Sequence, residues 1–237
     1  MTKTLTLSAH QPAYLPWLGY LDKIARVDVF VFLDNVQFEK NSFTNRNKIK
    51  TPQGPQWLTI PVKLKGHTNA TLLDTLVDDT QGWRVKHLKS IEMNYRKAPY
   101  FKECFPMISG LLLLPESNLS ELCWQHLQFW LAEFEIKTEV YRSSALPVSS
   151  KKSDLVLDLC KQIGANNYIS GPFGKDYLNE QSFAVAGIKI DYQDFKHPVY
   201  PQLWGDFEPN MCILDYWMNC GSNSNNFLQR RNNGIQF

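Results

Sequence analysis

Apolar and polar residues follow one another at the start of the chain in a pattern that predicts a strand, a helix and a second strand. Residues 4–10, TLTLSAH, alternate as in a strand, and residues 18–27, LGYLDKIARV, have helical spacing. Residues 28–34, DVFVFLD, are almost continuously apolar, as in strands of a parallel sheet covered on both faces. The opening therefore predicts a β-α-β crossover unit of the α/β class.

The next segments predict a β-hairpin followed by a helical region. RNKIK at 46–50 and QWLTIPVK at 56–63 flank the turn TPQGP at 51–55, which carries Pro and Gly. Residues 83–135 have mostly helical spacing. The first helix of this region is predicted to bury one face, formed by Val85, Leu88, Ile91 and Tyr95.

Strands and helices alternate again from residue 138. We predict strands in TEVYRSSAL, NYISG and IKIDYQDF, and helices in SDLVLDLCKQIG, YLNEQSFAVAG and MCILDYWMNCG. Ser153 is a candidate helix cap, Gly164 and Gly187 are candidate helix stops, and the Asn-rich residues 221–234 are expected to form a terminal loop or tail. The predicted fold is α/β, a parallel-sheet, Rossmann-like core with a β-hairpin. We expect residues 1–237 to form a single domain in which 83–135 are a helical insertion or subdomain.

Composition narrows the possible partners. The 237 residues are 43% hydrophobic and carry a net charge of only +2, without a block of like charges. A nucleic-acid partner is therefore not expected. The longest apolar run, GLLLLP, is far too short to span a membrane, and the N-terminus lacks a secretory signal. We expect a cytoplasmic protein without a membrane partner. Its five cysteines lack a C-x-x-C pair, which indicates reduced thiols and no metal site.

The segment after the first strand carries candidate catalytic and binding residues. Ligands of open parallel sheets collect at the carboxyl ends of the strands, where HQPAYLPW begins. His10 exchanges protons near neutral pH, and Gln11, Tyr14 and Trp17 are candidates for substrate binding. The alternative for His10 is a hydrogen-bonded histidine with a structural role.

Two further loops offer positive charge. Asn41, Asn45, Arg46 and Lys48 follow the second strand and are candidates for binding a phosphate or pyrophosphate, although a solvated loop is the alternative. Lys175 lies in SGPFGKDYL, which is neither a Walker A motif nor a complete G-x-G-x-x-G. A tight strand-to-helix turn is the alternative for that segment.

The last segment, residues 195–221, holds a pair of titratable residues, His197 and Asp215. Asp215 stands among apolar residues and needs a partner, either a structural hydrogen-bond network or a catalytic histidine. Tyr200 and Gln202 are available to line a cleft. His10, His197 and Asp215 are thus the candidate catalytic residues.

Four stretches of the sequence resemble the WbqC-like family of bacteria. They are HQPAYLPWLGYLDK, QFEKNSFTNRNKIK with WLTIPVK, ISGPFGKDYL, and FKHPVYPQLWGDFEPNMCILDYWMNCG. Members are encoded among genes for O-antigen and other surface polysaccharides, so the resemblance implies work on nucleotide-linked sugars. The family often has Ser at the position of Cys212 in this chain, and we assign no nucleophile there.

The resemblance and the candidate residues together favour a transferase that moves a small acyl group onto a nucleotide-linked amino sugar. The expected small-molecule partner is the nucleotide sugar, and the donor would be a coenzyme A ester or a formyl folate. Two alternatives remain open. One is a nucleotidyl or other group transferase of nucleotide-sugar metabolism, which rests on analogy of fold. The other is a carbohydrate-binding protein without catalytic activity.

Overall fold

The computed structural model describes residues 4–63, 70–222 and 227–228. Its strands are β1 (Thr6–His10), β2 (Val29–Phe32), β3 (Arg46–Thr51), β4 (Gly54–Thr59), β5 (Glu139–Arg142), β6 (Asn167–Ser170) and β7 (Lys189–Tyr192). Five of them form a parallel sheet in the order β5-β2-β1-β6-β7, and β3 pairs with β4 as an antiparallel hairpin. The predicted α/β class, the parallel sheet and the hairpin are confirmed.

The helices are α1 (Leu18–Ala25), α2 (Trp83–Tyr95), α3 (Phe101–Leu112), α4 (Leu119–Glu133), α5 (Lys152–Ile163), α6 (Glu180–Val185) and α7 (Ile213–Cys220). Helices α2, α3 and α4 account for the predicted helical region between the hairpin and β5. In the part of the chain that the structure describes, no helix is both long and apolar enough to cross a membrane.

Side chains of β2 alternate between two apolar clusters, one on each face of the sheet. Val29 and Val31 pack with apolar residues of α5 and α6, whereas Phe30 and Phe32 pack with those of α1, the middle helices and α7. A strand that is covered on both faces needs apolar residues throughout, which explains the continuous run in the sequence.

The order of the strands defines a crevice. The chain runs outward from β1 to β2 and β5, and then returns to the other side of β1 as β6 and β7. Loops that leave the carboxyl ends of β1 and β6 therefore diverge, which is the arrangement in which open α/β sheets bind ligands. His10 is the last residue of β1 and lies at this point.

Two local predictions are wrong. Ser153 does not cap α5, since the helix begins at Lys152, and the Ser153 hydroxyl instead accepts a hydrogen bond from the Asn179 N–H. Val85 is 53% exposed, because the buried face of α2 is rotated away from it, although Ile91 and Tyr95 are buried as predicted. The buried residues of that face are Trp83, His87, Ile91 and Tyr95. Gly164 and Gly187 do follow helices and have positive φ angles of 76° and 71°. Most of the Asn-rich tail lies outside the described residues.

Candidate functional site

The hairpin lies against the loop between β1 and α1. The backbone N–H of Tyr14 donates to the carbonyl of Phe43 at 3.0 Å. The side-chain amide of Asn47 donates to the carbonyl of Leu15 at 2.7 Å and is buried. These contacts attach the hairpin to the end of the sheet at which His10 lies, so the two predicted clusters share one surface.

The start of α7 closes the same junction. The N–H of Ile213 donates to the carbonyl of Pro16 at 2.7 Å, and the N–H of Cys212 donates to the carbonyl of Lys48 at 2.8 Å. Cys212 is the N-cap of α7, a position that Ser favours. Burial raises the pKa of the Cys212 thiol to about 12, so this sulfur is no activated nucleophile.

His10 is held in one orientation. Its Nδ1 lies 2.9 Å from the carbonyl oxygen of Gln11, and its ring meets Trp17 and Tyr20 edge to face at centroid distances of 5.6 and 5.1 Å. A carbonyl only accepts, so Nδ1 carries the proton and Nε2 carries a lone pair. Within the described residues, Nε2 has no hydrogen-bond partner.

Electrostatics keep the His10 ring uncharged at neutral pH. Burial, together with the positive charge of Lys23, lowers the pKa of His10 to about 3. Lys23 itself is buried in α1, and its Nζ donates to the carbonyl of Ala9 at 3.3 Å. Burial lowers the pKa of Lys23 to about 7. A negatively charged ligand would raise the pKa of His10, because it favours the protonated ring.

Aromatic rings lead from His10 to the hairpin. Trp17 lies 5.2 Å from Phe43, and Phe43 lies 5.9 Å from Trp57, between ring centroids. The Arg46 guanidinium lies 4.3 Å and the Lys48 ammonium 5.7 Å from the centroid of Trp57. Sequence reasoning missed Phe43 and Trp57 as site residues. The register of the hairpin is the signal for Trp57, which pairs with Lys48.

Three cations lie on one face of β3. Arg46, Lys48 and Lys50 alternate along the strand, and none forms an ion pair with a carboxylate in the described part of the chain. Lys50 is buried and donates to the side chain of Gln202 at 3.0 Å. Among the described residues, the side chain of Arg46 makes one hydrogen bond, a 3.4 Å contact with Asn41, and its Nε has no hydrogen-bond partner. Arg46 and Lys48 are therefore the cations free to meet an anion.

His197 lies on the adjoining segment but has both ring nitrogens engaged. Phe195 packs so closely on Gly19 of α1 that a Cβ there would lie 3.0 Å from its ring, and it contacts His197 at a centroid distance of 5.9 Å. Nδ1 of His197 lies 2.8 Å from the carbonyl of Pro198, and Nε2 accepts from the N–H of Asn210 at 3.3 Å. Of the two histidines, His10 has the ring nitrogen that makes no hydrogen bond within the described residues.

The structure does not bring Asp215 to His197. Its carboxylate accepts hydrogen bonds from the hydroxyls of Tyr95 and Tyr200, both at 2.8 Å, and from the amide of Gln202 at 2.6 Å. Burial raises the pKa of Asp215, and these three donors oppose that effect. Asp215 thus has the structural network that the sequence left as one alternative. It fixes Tyr200, whose ring stacks on that of His197 at 6.1 Å.

Two predicted binding residues lie in the core. The hydroxyl of Tyr14 lies 2.8 Å from Nδ1 of His87, and the Tyr14 side chain is fully buried. Asn45 is buried as well, and its amide donates to the carbonyl of Ile60 at 2.9 Å. Both side chains are used inside the fold and do not reach the surface that carries His10, Arg46 and Trp57.

Lys175 lies on a short turn of 3-10 helix, Pro172–Asp176, that follows β6. Its ammonium lies 5.1 Å from the ring centroid of Tyr192, and the side chain is exposed. A Cβ at Gly174 would lie 1.9 Å from the hydroxyl oxygen of Ser170, so the chain needs glycine there to turn this tightly. This geometry fits the tight turn named as the alternative for the segment.

The described residues contain no group of three or more His, Cys, Asp or Glu side chains placed to hold a metal ion. The chemistry available on this surface is that of a neutral imidazole, unpaired cations and exposed aromatic rings. That combination suits an anionic ligand with a planar or apolar part.

Comparisons with known proteins identify relatives but no activity. The model of the WbqC-like protein family matches residues 11–227. A protein of Mycobacterium tuberculosis strain H37Rv named "uncharacterized protein Rv1507c" is 36% identical over 221 residues, which are 92% of this chain and 95% of that protein. No solved structure matches the chain significantly. The chain belongs to the WbqC-like protein family.

Proposed function

We propose that this WbqC-like protein is a transferase that moves a small acyl group onto the amine of a nucleotide-linked amino sugar. The observation that carries the proposal is that the contacting rings of Trp17, Phe43 and Trp57 connect His10 to two cations, Arg46 and Lys48. Among the described residues these cations lack carboxylate partners, and Nε2 of His10 makes no hydrogen bond. A pyrophosphate supplies the negative charge that these cations accept, and the sugar attached to it extends toward the imidazole.

His10 is the general base in this proposal. The amine nitrogen attacks the carbonyl carbon of the acyl donor, and Nε2 of His10 accepts the proton that the nitrogen loses. The bond from the acyl carbon to the donor then breaks with its electron pair on the donor atom, which takes the proton back from His10. The donor thus leaves as a thiol from a coenzyme A ester or as an amine from a formyl folate. A base works best when its pKa lies near the working pH. The charge of the bound pyrophosphate therefore assists, because it raises the pKa of His10.

The proposal is tested by incubating the protein with nucleotide-linked amino sugars and acyl donors, and by following the mass of the sugar nucleotide. We expect a product heavier by one acyl group. His10→Ala should remove turnover while the nucleotide sugar still binds, and Lys86→Ala, an exposed change on α2, serves as the control.

Three results would contradict it. Unchanged turnover in His10→Ala removes this residue from the mechanism. Release of pyrophosphate that depends on Mg²⁺ would indicate a nucleotidyl transferase. Saturable binding of free glycans without any product would indicate a carbohydrate-binding protein.

A further inference from the structure

Two aromatic side chains beside the unpaired cations stay open to solvent. Phe43 is 44% exposed and Trp57 is 42% exposed, whereas their neighbour Trp17 is partly buried. The Phe43 and Trp57 rings lie 5.9 Å apart between centroids and are tilted by 45°. A neighbouring pair of exposed rings is a surface that a flat ring of a ligand covers favourably.

The Trp57 ring is supported from one side by charge. The Arg46 guanidinium lies 4.3 Å from its centroid, which is stacking distance for a planar cation. Residues Arg46 and Trp57 belong to paired strands of the hairpin, so this stack rests on regular backbone. The ring is therefore held in place before a ligand arrives, which reduces the entropy lost on binding.

A ligand of this aromatic pair must also carry negative charge. Arg46 has a buried Nε that lacks a hydrogen-bond partner in the described part of the chain, and Lys48 has its ammonium 5.7 Å from the same ring centroid. A ligand that satisfies the rings and the cations together must carry a flat ring close to phosphate oxygens. Nucleotides have this chemistry, while free sugars lack the charge and sugar phosphates lack the flat ring.

The direction of the ligand follows from the position of His10. The Lys48 carbonyl accepts from the N–H of Cys212, and Cys212 forms a β-bridge with Trp17, the residue that contacts His10. Lys48 thus extends its backbone toward the histidine and its ammonium toward Trp57. The diphosphate of a nucleotide sugar carries the nucleoside on one side and the sugar on the other. Chemistry on the sugar requires the sugar to be at the histidine, which leaves the nucleoside for the side of Trp57.

We infer that Phe43 and Trp57 form the binding platform for the nucleobase of the substrate, with the diphosphate on Arg46 and Lys48. This inference rests on the proposed function for the direction of the ligand. It adds that the nucleoside diphosphate part is recognised on its own, by stacking and charge.

Binding is measured by calorimetry with wild-type protein and three probes: nucleoside diphosphates, inorganic pyrophosphate and an amino sugar 1-phosphate. No acyl donor is present, so absence of catalysis does not affect the result. We expect the nucleoside diphosphates to bind most tightly. Trp57→Ala and Phe43→Ala should each weaken that binding about tenfold, in line with the worth of stacking one base. Trp57→Phe should restore most of it.

Controls separate stacking from charge and from folding. Lys48→Ala should weaken binding of the nucleoside diphosphates and of pyrophosphate, whereas Phe43→Ala should leave pyrophosphate unaffected. Met93→Ala removes an exposed apolar side chain on α2, and this variant should bind nucleoside diphosphates as tightly as the wild type does. Circular dichroism confirms that each variant is folded.

Two outcomes overturn the inference. If Phe43→Ala and Trp57→Ala bind nucleoside diphosphates as the wild type does, the rings hold no base. If binding of the amino sugar 1-phosphate depends on Phe43 and Trp57 and binding of nucleoside diphosphates does not, the platform holds the sugar. Binding of nucleoside diphosphates that depends on the rings, in a protein that forms no acylated product, would support the platform and contradict the proposed function alone.

Discussion

The buried histidine of α4 gives a prediction about stability in acid. His126 is 1% exposed, and neither of its ring nitrogens has a hydrogen-bond partner of good geometry among the described residues. Burial lowers the pKa of His126 to about 3; the backbone of Leu111 acts against this shift, and the charge of Arg84 contributes to it. The test is the substitution His126→Leu, which keeps an apolar side chain of similar size and removes the titration.

The magnitude follows from proton linkage. In the unfolded chain His126 has its ordinary pKa of 6.5 and binds a proton below that pH, whereas in the folded chain it stays neutral down to about pH 3. Between these values the unfolded state binds more protons, so the free energy of unfolding falls as the pH falls. The loss is about 1.4 kcal/mol for each pH unit. At pH 5 this one ring costs the wild type about 2 kcal/mol.

Urea denaturation at pH 7 and at pH 5, followed by tryptophan fluorescence, measures the effect. We expect His126→Leu to gain about 2 kcal/mol on the wild type between pH 7 and pH 5. His10 and His87, whose pKa values are lowered to about 3 and about 4, remain in both proteins and cancel from the difference. An equal difference between the two proteins at both pH values would refute the reasoning, since it would mean that the ring titrates alike in the folded and unfolded chain.

Three further predictions concern other buried groups. Lys23→Met should raise the free energy of unfolding at pH 7, and this gain should shrink toward pH 10. The reason is that the Lys23 side chain binds its proton below pH 10.5 in the unfolded chain but only below about pH 7 in the folded chain. A gain in denaturation experiments that is the same at every pH would contradict this. Asp215→Ala should lower the free energy of unfolding by about 3 kcal/mol or more in urea denaturation. It leaves the buried hydroxyls of Tyr95 and Tyr200 without their acceptor and removes one acceptor of the Gln202 amide. Stability like that of the wild type would contradict this prediction. A thiol reagent should label four buried cysteines far more slowly in the native protein than in the unfolded protein: Cys104, Cys123, Cys160 and Cys212. Fast labelling of the native protein would contradict the raised pKa values of these thiols.

The elements that the sequence predicted are those whose signal is local. The apolar run at β2, the turn of the hairpin and the glycine after α5 are each recognised from a few neighbouring residues. Ser153 shows the limit, because its hydroxyl is used by Asn179, which follows β6 and comes 26 residues later. The N–H groups at the start of α5 and the N–H of Asn179 are alternative donors to the same hydroxyl oxygen. The local sequence around Ser153 does not indicate which of them forms the hydrogen bond.

The candidate site divides in the same way. His10 and Arg46 were predicted from their places after strands, and both lie on the surface described above. The hydroxyl of Tyr14 turns to His87, 73 residues away, and Asp215 is satisfied by Tyr95, 120 residues away. Pairs of residues so far apart in the sequence decide which polar side chains are buried, and no local sequence pattern predicts these pairs.

Thermal unfolding with and without a nucleotide-linked amino sugar tests most directly whether the surface of His10, Arg46 and Lys48 binds that ligand. A ligand at 100 times its dissociation constant stabilises the folded state by about 2.7 kcal/mol. We predict a raised Tm for the wild type with the nucleotide-linked amino sugar, and little or no rise for Arg46→Ala/Lys48→Ala. No rise with any nucleotide, together with a rise caused by free glycans, would contradict the account.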